Sequence, residues 1–276
     1  MFRRTLYFAL CAAQAVTLAA AGAGTDSPPG PGDAQGPLPL VLHLSRDILH
    51  DQKTIWTSPF HMNRRTAPLW IGFAAITASL MATDRLSSGA LPVSGASVRA
   101  GNDLSRIGSA YSVAAFAGTF YAMGAITGNS KARETGFLAG EALLDGTIVV
   151  EALKFAAGRV RPLTPDAGEY FDAGASFPSG HAMAAWSLAS VVAHEYGNHR
   201  YVPFLAYGLA AVVSSARFTA RQHYLSDVVA GSAMGWFIGR YVYEEHQPHS
   251  DSRSYSVTPI LDPAHATYGL TLHVGL

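Results

Sequence analysis

Cysteine is almost missing from this sequence: Cys11 is the only one in 276 residues. It falls in an N-terminal segment expected to be removed, so the mature chain is expected to carry no disulfide, although its compartment would permit one. Charge is sparse as well. Asp, Glu, Lys and Arg make up 14% of the chain, and 19 basic residues balance 19 acidic ones. A neutral chain of this kind offers no electrostatic footprint for nucleic acid, and none is expected as a partner. His43, His50 and His61 lack the tight spacing of a metal site and read as surface or partly packed side chains, so no metal is expected. No repeat of solenoid length occurs. What the chain has in plenty is apolar surface: 49% of its residues are hydrophobic. Alanine and glycine recur within the apolar runs, a pattern of closely packed helices, and the length suits one core domain plus ends.

Residues 1–24 have the order of a secretory signal peptide, with Arg3 and Arg4, an apolar stretch, then small residues from Ala19 to Ala23. An exported, periplasmic protein is therefore expected. Residues 25–45 open on a Pro/Gly-rich linker, 46–246 form the predicted helical domain, and 247–276 a tail of different character. The stretch from Val41 to Thr57 reads as a short amphipathic helix ending before Pro59, with Trp56 as a packing or membrane-interface aromatic. Two apolar runs follow, one between Arg65 and Asp84 and one between Arg106 and Lys131, both borderline for a bilayer span of roughly 20 residues. Between them, residues 85–103 read as a Gly/Ser-rich loop. The helix ahead of Lys154 carries Glu141, Asp145 and Glu151, which makes it a poor lipid-facing span. On that ground, and because overall hydrophobicity is modest, a soluble or peripheral protein is favoured over an embedded one, with membrane contact left open. In the tail, SVTPILD and TYGLTLHVGL alternate around an Asp262-Pro263 turn and predict a short β-hairpin. The expected fold is all-α, a bundle of about six helices with that hairpin appended.

Three clusters carry the chemistry. The first is KFAAGRVRP, in which Lys154 precedes Arg161-Pro162 by two helical turns; a helix ending near Arg161 would put both cations on one face. The second is FPSGHA, with Pro178-Ser179-Gly180 as a turn and His181 in the first turn of the next helix, where unpaired backbone N–H groups favour anions. The third is ARFTARQHYLSD, where Arg217, His223 and Asp227 follow one another and the last two, four apart, would share a helical face. A carboxylate so placed accepts one imidazole N–H and leaves the other ring nitrogen for the pocket. Arg221 reads as a solvated charge. Taken singly, each cluster has a plain structural explanation: a cap, a helix stop, a surface pair. Their coincidence supplies three cations, an anion nest and two histidines, the set that phosphoryl transfer needs.

In order and spacing the clusters resemble the type 2 phosphatidic acid phosphatase and vanadium haloperoxidase superfamily, over about Glu134 to Tyr243. The one departure is Ala216, where that family has serine before the arginine; Ser215 stands one place earlier. The resemblance implies a phosphohistidine formed on His223, oriented by Asp227, with His181 as acid and then base. It further implies that Lys154, Arg161, Arg217, Ser179 and the Gly180 backbone hold the phosphoryl group, without a metal or other cofactor. The implied activity is hydrolysis of phosphomonoesters or pyrophosphates, on a lipid phosphate or a phosphorylated small molecule, with vanadate as an inhibitor in the phosphate pocket. The alternatives are a vanadate-dependent haloperoxidase, which the short chain disfavours, and a non-catalytic binder of anionic lipid.

Overall fold

The computed structural model describes residues 37–90 and 94–247, together with the backbone of 255–262 and 267–274. The segment read as a signal peptide, with Cys11, and the first part of the expected linker lie outside the described residues. Among the described residues eight α-helices follow one another: α1 (Pro37–Thr57), α2 (Ala67–Ala90), α3 (Gly95–Ser105), α4 (Ala110–Thr127), α5 (Ser130–Ala157), α6 (Gly180–Glu195), α7 (Val202–Thr219) and α8 (Leu225–His246). The helix α1 begins inside the stretch read as linker. The loop expected over 85–103 is largely helical, because α2 continues to Ala90 and α3 starts at Gly95. The side chain of Ser94 caps α3 by accepting the Ser97 N–H, which satisfies one of the free donors of its first turn. Ser109 and Asn129 cap α4 and α5 in the same way, and Gly128 and Gly158 end those helices in the left-handed conformation.

The core forms around α5. Leu138, Ala139, Ala142 and Val149 of α5 pack with Val191 of α6 and with Ile238 and Val242 of α8. A second layer, Val113, Leu143, Val150, Met183 and Ala184, lies nearer the end of α5 that carries Lys154. Gly231, Gly235 and Gly239, one helical turn apart, let α8 lie directly on the backbone of α6 and the turn before it. A Cβ on Gly231 would meet the Ser179 carbonyl oxygen at 2.4 Å, and one on Gly235 the Met183 carbonyl oxygen at 2.2 Å.

Among the described residues, α2 and α7 are long and apolar enough to cross a membrane. The run between Arg65 and Asp84 is thus one of the two, whereas α4, from the second run, is not; α7 takes its place. Large apolar side chains stand exposed along both, including Leu69, Ile71 and Ile76 on α2 and Phe204, Leu205 and Leu209 on α7. Glu141 and Asp145 of α5 point the other way and are buried. Two of the three acids thus turn inward while Glu151 stays exposed, and their density does not support the preference for a soluble or peripheral protein.

The helical unit extends through Glu245, and a separate unit begins at His246. In it β1 (Tyr255–Asp262) and β2 (Thr267–Val274) form an antiparallel pair whose register runs from Tyr255 opposite Val274 to Asp262 opposite Thr267. This is the hairpin expected from the alternation.

Candidate active site

The three clusters meet, but by other backbone routes than their spacing suggested. Lys154 lies in the last turn of α5, where its ammonium pairs with Glu151 at 2.7 Å. The helix stops at Ala157 because Gly158 turns left-handed, with φ 52°, and its N–H closes on the Lys154 carbonyl. Arg161 is therefore not on the helical face of Lys154. It arrives on the loop that leads to α6, where its guanidinium donates to the Gln222 side chain at 3.0 Å. Lys154 meets the second cluster directly: its Nζ is 3.3 Å from where a Cβ on Gly180 would sit.

Ser179 occupies the N-cap of α6, yet its hydroxyl makes no capping bond. The side chain is fully buried and its Oγ has no partner. Arg217, in the last turn of α7, is buried too; its Nη1 donates to Ser105 Oγ at 3.0 Å and its Nε has no acceptor. Buried donors are ordinarily satisfied, yet the Ser179 hydroxyl and Arg217 Nε, like Arg159 Nε, find no acceptor within the protein.

His223 and Asp227 do not share a helical face. The chain leaves α7 at Thr219, passes Arg221 at φ 56°, and re-enters a helix only at Leu225. Asp227 sits in the first turn of α8, where its Oδ2 accepts the Tyr224 N–H at 2.9 Å, the carboxylate half of a capping box. His223 is 3% exposed, and its Nδ1 lies 2.7 Å from the Ser176 carbonyl oxygen but 3.7 Å from Asp227 Oδ2. The hydrogen bond that fixes the ring is thus made to Ser176, with Asp227 as the nearby charge. Nε2 is left as the nitrogen for the pocket. Arg221 is buried, not solvated as expected.

Electrostatics confirm how closely these groups are gathered. His181 is pulled down from 6.5 to about 3, by burial first and then by Arg217, His223, Lys154 and Arg161. Burial, with Arg217 and Arg161, also lowers His223, against the opposing pull of Asp227. Burial alone would raise the Asp227 carboxyl, but His223, Arg159 and Ser176 together hold it below its ordinary range.

The shift of His181 gives a testable sign. The unfolded chain binds a proton near 6.5 and the folded one only near 3, so lowering the pH through that window favours unfolding. The expected slope is at most about 1.4 kcal/mol per pH unit for this one group. Melting temperatures should fall between pH 6.5 and 4, less steeply in His181→Asn and less steeply with saturating vanadate, whose charge offsets the cations. A slope identical in the variant would refute this account of the site.

The sequence reading missed Arg159, Asp84, Ser176 and Ser226. Arg159 Nη1 donates to Asp227 Oδ1 at 2.6 Å and to Ser226 Oγ at 2.8 Å, and its Nη2 to Asp84 Oδ2 at 2.8 Å. Ser176 Oγ donates to Asp227 Oδ2 at 2.5 Å. The available signals were an extra arginine inside the first cluster and a lone acid at the end of an otherwise apolar run.

A second group of acids lies elsewhere. Asp51, Glu141 and Asp145, all buried, bring one carboxylate oxygen each within 4.8 Å of one another, a donor set that could hold a cation. Gln52 Nε2 donates to Asp145 Oδ1 at 2.8 Å and the Tyr241 hydroxyl to Asp51 Oδ1 at 3.0 Å. Asp145 precedes Lys154 by nine residues, about 13 Å along the helix, so this trio is no part of the phosphate pocket.

Residues 135–250 match the sequence pattern of the PAP2 superfamily. Over 105 residues the chain is 33% identical to the lipid A 1-phosphatase of Porphyromonas gingivalis, a stretch that is 38% of this chain and 22% of that protein. The chain thus spans about a fifth of that relative's length. Among solved structures it is similar to a transmembrane PAP2-type phosphatidylglycerolphosphate phosphatase from Bacillus subtilis, with 18% identity, a TM-score of 0.42, and coverage of 76% of this chain and 98% of that one.

Proposed function

Starting from a PAP2-superfamily core in residues 135–250, we propose that this protein is a metal-independent phosphatase that works through a phosphohistidine on His223, with lipid phosphates as its substrate class. The observation that carries the reading is the pair of orphan donors, Ser179 Oγ and Arg217 Nε, among the cations that crowd His181. A phosphoryl group bound there supplies their missing acceptor.

The reaction then runs in two displacements. Nε2 of His223 attacks phosphorus in line, the P–O bond to the leaving group breaks, and His181 gives that oxygen its proton. Burial first and then the surrounding cations lower His181, and the bound dianion favours its protonated form by offsetting those cations. In the second step His181 takes a proton from water, the water oxygen attacks phosphorus, and the P–N bond breaks to release phosphate. Asp227 and the Ser176 carbonyl favour the positive charge that the His223 ring carries between the two steps.

Two observations favour a lipid over a soluble phosphate. The exposed apolar flanks of α2 and α7 suit contact with the bilayer by an exported protein. An apolar cleft of about 600 Å³, lined by Trp186, Phe218, Leu225, Val228, Val229 and Trp236, opens next to the segment that carries Arg217 and His223, and suits an acyl chain. The test is phosphate release, with EDTA and detergent present, from a long-chain lipid phosphate, an isoprenyl pyrophosphate and a soluble monoester. The long-chain lipids are expected to turn over fastest, and Val229→Trp, which fills the cleft, to slow them about tenfold while sparing the soluble monoester. Equal rates on all three, unaffected by the tryptophan, would remove the lipid reading. Halide oxidation with added vanadate and peroxide, in place of hydrolysis, would assign the pocket to haloperoxidase chemistry.

A further inference from the structure

Asp227 is fully buried and takes all its partners from inside the protein. The guanidinium of Arg159, 3% exposed, lies between it and a second buried acid, Asp84, which is 1% exposed. Ser226 ties the three together: its N–H donates to Asp84 Oδ1 at 3.1 Å, its hydroxyl donates to Asp84 Oδ2, and the hydroxyl oxygen accepts from Arg159. The guanidinium carbon also lies over the rings of Tyr224, 4.1 Å from its centroid, and Tyr170, 5.0 Å from its centroid. Such a bidentate bridge between two carboxylates is a geometry that lysine could not reproduce.

Counting formal charge gives this chain of groups a purpose. Asp227 paired with Arg159 alone would be neutral and would offer little to a cationic His223. With Asp84 on the other side of the guanidinium, the unit carries a net charge of −1. The positive ring of the phosphohistidine then balances that charge in a dry interior. Packing of α2 does not account for Asp84, since the buried residues of that helix are Thr77 and Asp84 itself. On the proposed function, we infer that Asp84 and Arg159 are positioning residues of the catalytic centre: Arg159 holds Asp227 beside His223, and Asp84 restores to Asp227 the negative charge that Arg159 would otherwise cancel.

The groups that face His223 are Arg217 from α7, Arg161 from the loop before α6, His181 from α6 and Asp227 from α8. Asp84→Asn leaves all four in place and removes one negative charge behind them. The variant is expected to lose kcat by about 10–100-fold with KM within about twofold, as outer partners of catalytic groups commonly do. Its kcat/KM profile should also move its acid limb to lower pH, because a cationic His223 is less favoured. The double variant Asp84→Asn/Arg159→Gln removes both charges, returns the unit to −1, and should recover part of the lost kcat and the wild-type acid limb. Should the single variant fail to fold, the double variant carries the test by itself through those two readouts. A role confined to seating α2 would lower the melting temperature and leave kcat and the acid limb of folded protein unchanged, and that result overturns the inference. So does a double variant no more active than the single one. The pH dependence of vanadate affinity, measured in parallel, reads the same charge on His223 without turnover. A phosphatase reading that fails is thereby told apart from a relay that fails.

Discussion

His223→Ala is expected to abolish phosphate release from every substrate tested, by about 10⁴-fold or more, while the protein stays folded. The ring does two things that no neighbour can take over. In the proposed mechanism it presents Nε2 to phosphorus from a position fixed by the Ser176 carbonyl and carries the positive charge of the intermediate beside Asp227. The other histidine of the pocket, His181, sits in the first turn of α6 and is cast as proton donor, not nucleophile. Rapid acid-free quenching with a labelled substrate should show a base-stable phosphoenzyme in the native protein and none in the variant. His181→Asn should show the opposite with an activated aryl phosphate: the phosphoenzyme forms, since the leaving group needs no proton, and then persists for want of a base to activate water. A residual rate above a tenth of the native one in His223→Ala would end the phosphohistidine mechanism for this chain.

The helical class was legible in the sequence, because it depends on local pattern, although the end of α2 and all of α3 were read as a loop. Apolar runs with small residues predict helices, and Lys154, Arg161, Ser179, Gly180, His181, Arg217, His223 and Asp227 stand out as a group by type and spacing. How they are held was not legible. The spacing of Lys154 and Arg161 fits two turns of helix, but Gly158 stops the helix between them. The spacing of His223 and Asp227 fits one turn, but the helix begins only at Leu225, so Asp227 serves as a cap and Ser176 becomes the ring's partner. Both misreadings assign to a regular helix what a capping residue and a loop supply.

The tertiary partners were further out of reach. Asp84 lies 143 positions before Asp227 in the sequence, and nothing local to α2 says that its one deeply buried acid belongs to the end of α8. The acids of α5 mislead in a related way. Their density argues against a lipid-facing α5 and says nothing of the other helices. Glu141 and Asp145 turn inward, and α2 and α7 carry the apolar surface instead.

Arg217→Ala is expected to lower kcat/KM by about 10²–10³-fold, the range for losing one charged donor to a transition state. Its guanidinium is held by Ser105 through Nη1 and keeps Nε without an acceptor, so the fork is oriented before substrate arrives. A preoriented donor favours the trigonal-bipyramidal phosphorus over the tetrahedral ground state. Vanadate affinity should therefore fall by about the same factor as kcat/KM, and the affinity for product phosphate by much less. Arg217→Lys keeps the charge without the planar fork and should fall between the two. If KM alone rises while kcat holds, Arg217 binds substrate and transition state alike, and its assigned role is wrong. The melting temperature supplies an independent check. A buried cation with an unmet hydrogen bond costs the empty protein stability, so the alanine variant should melt no lower than the native chain while losing most of its activity.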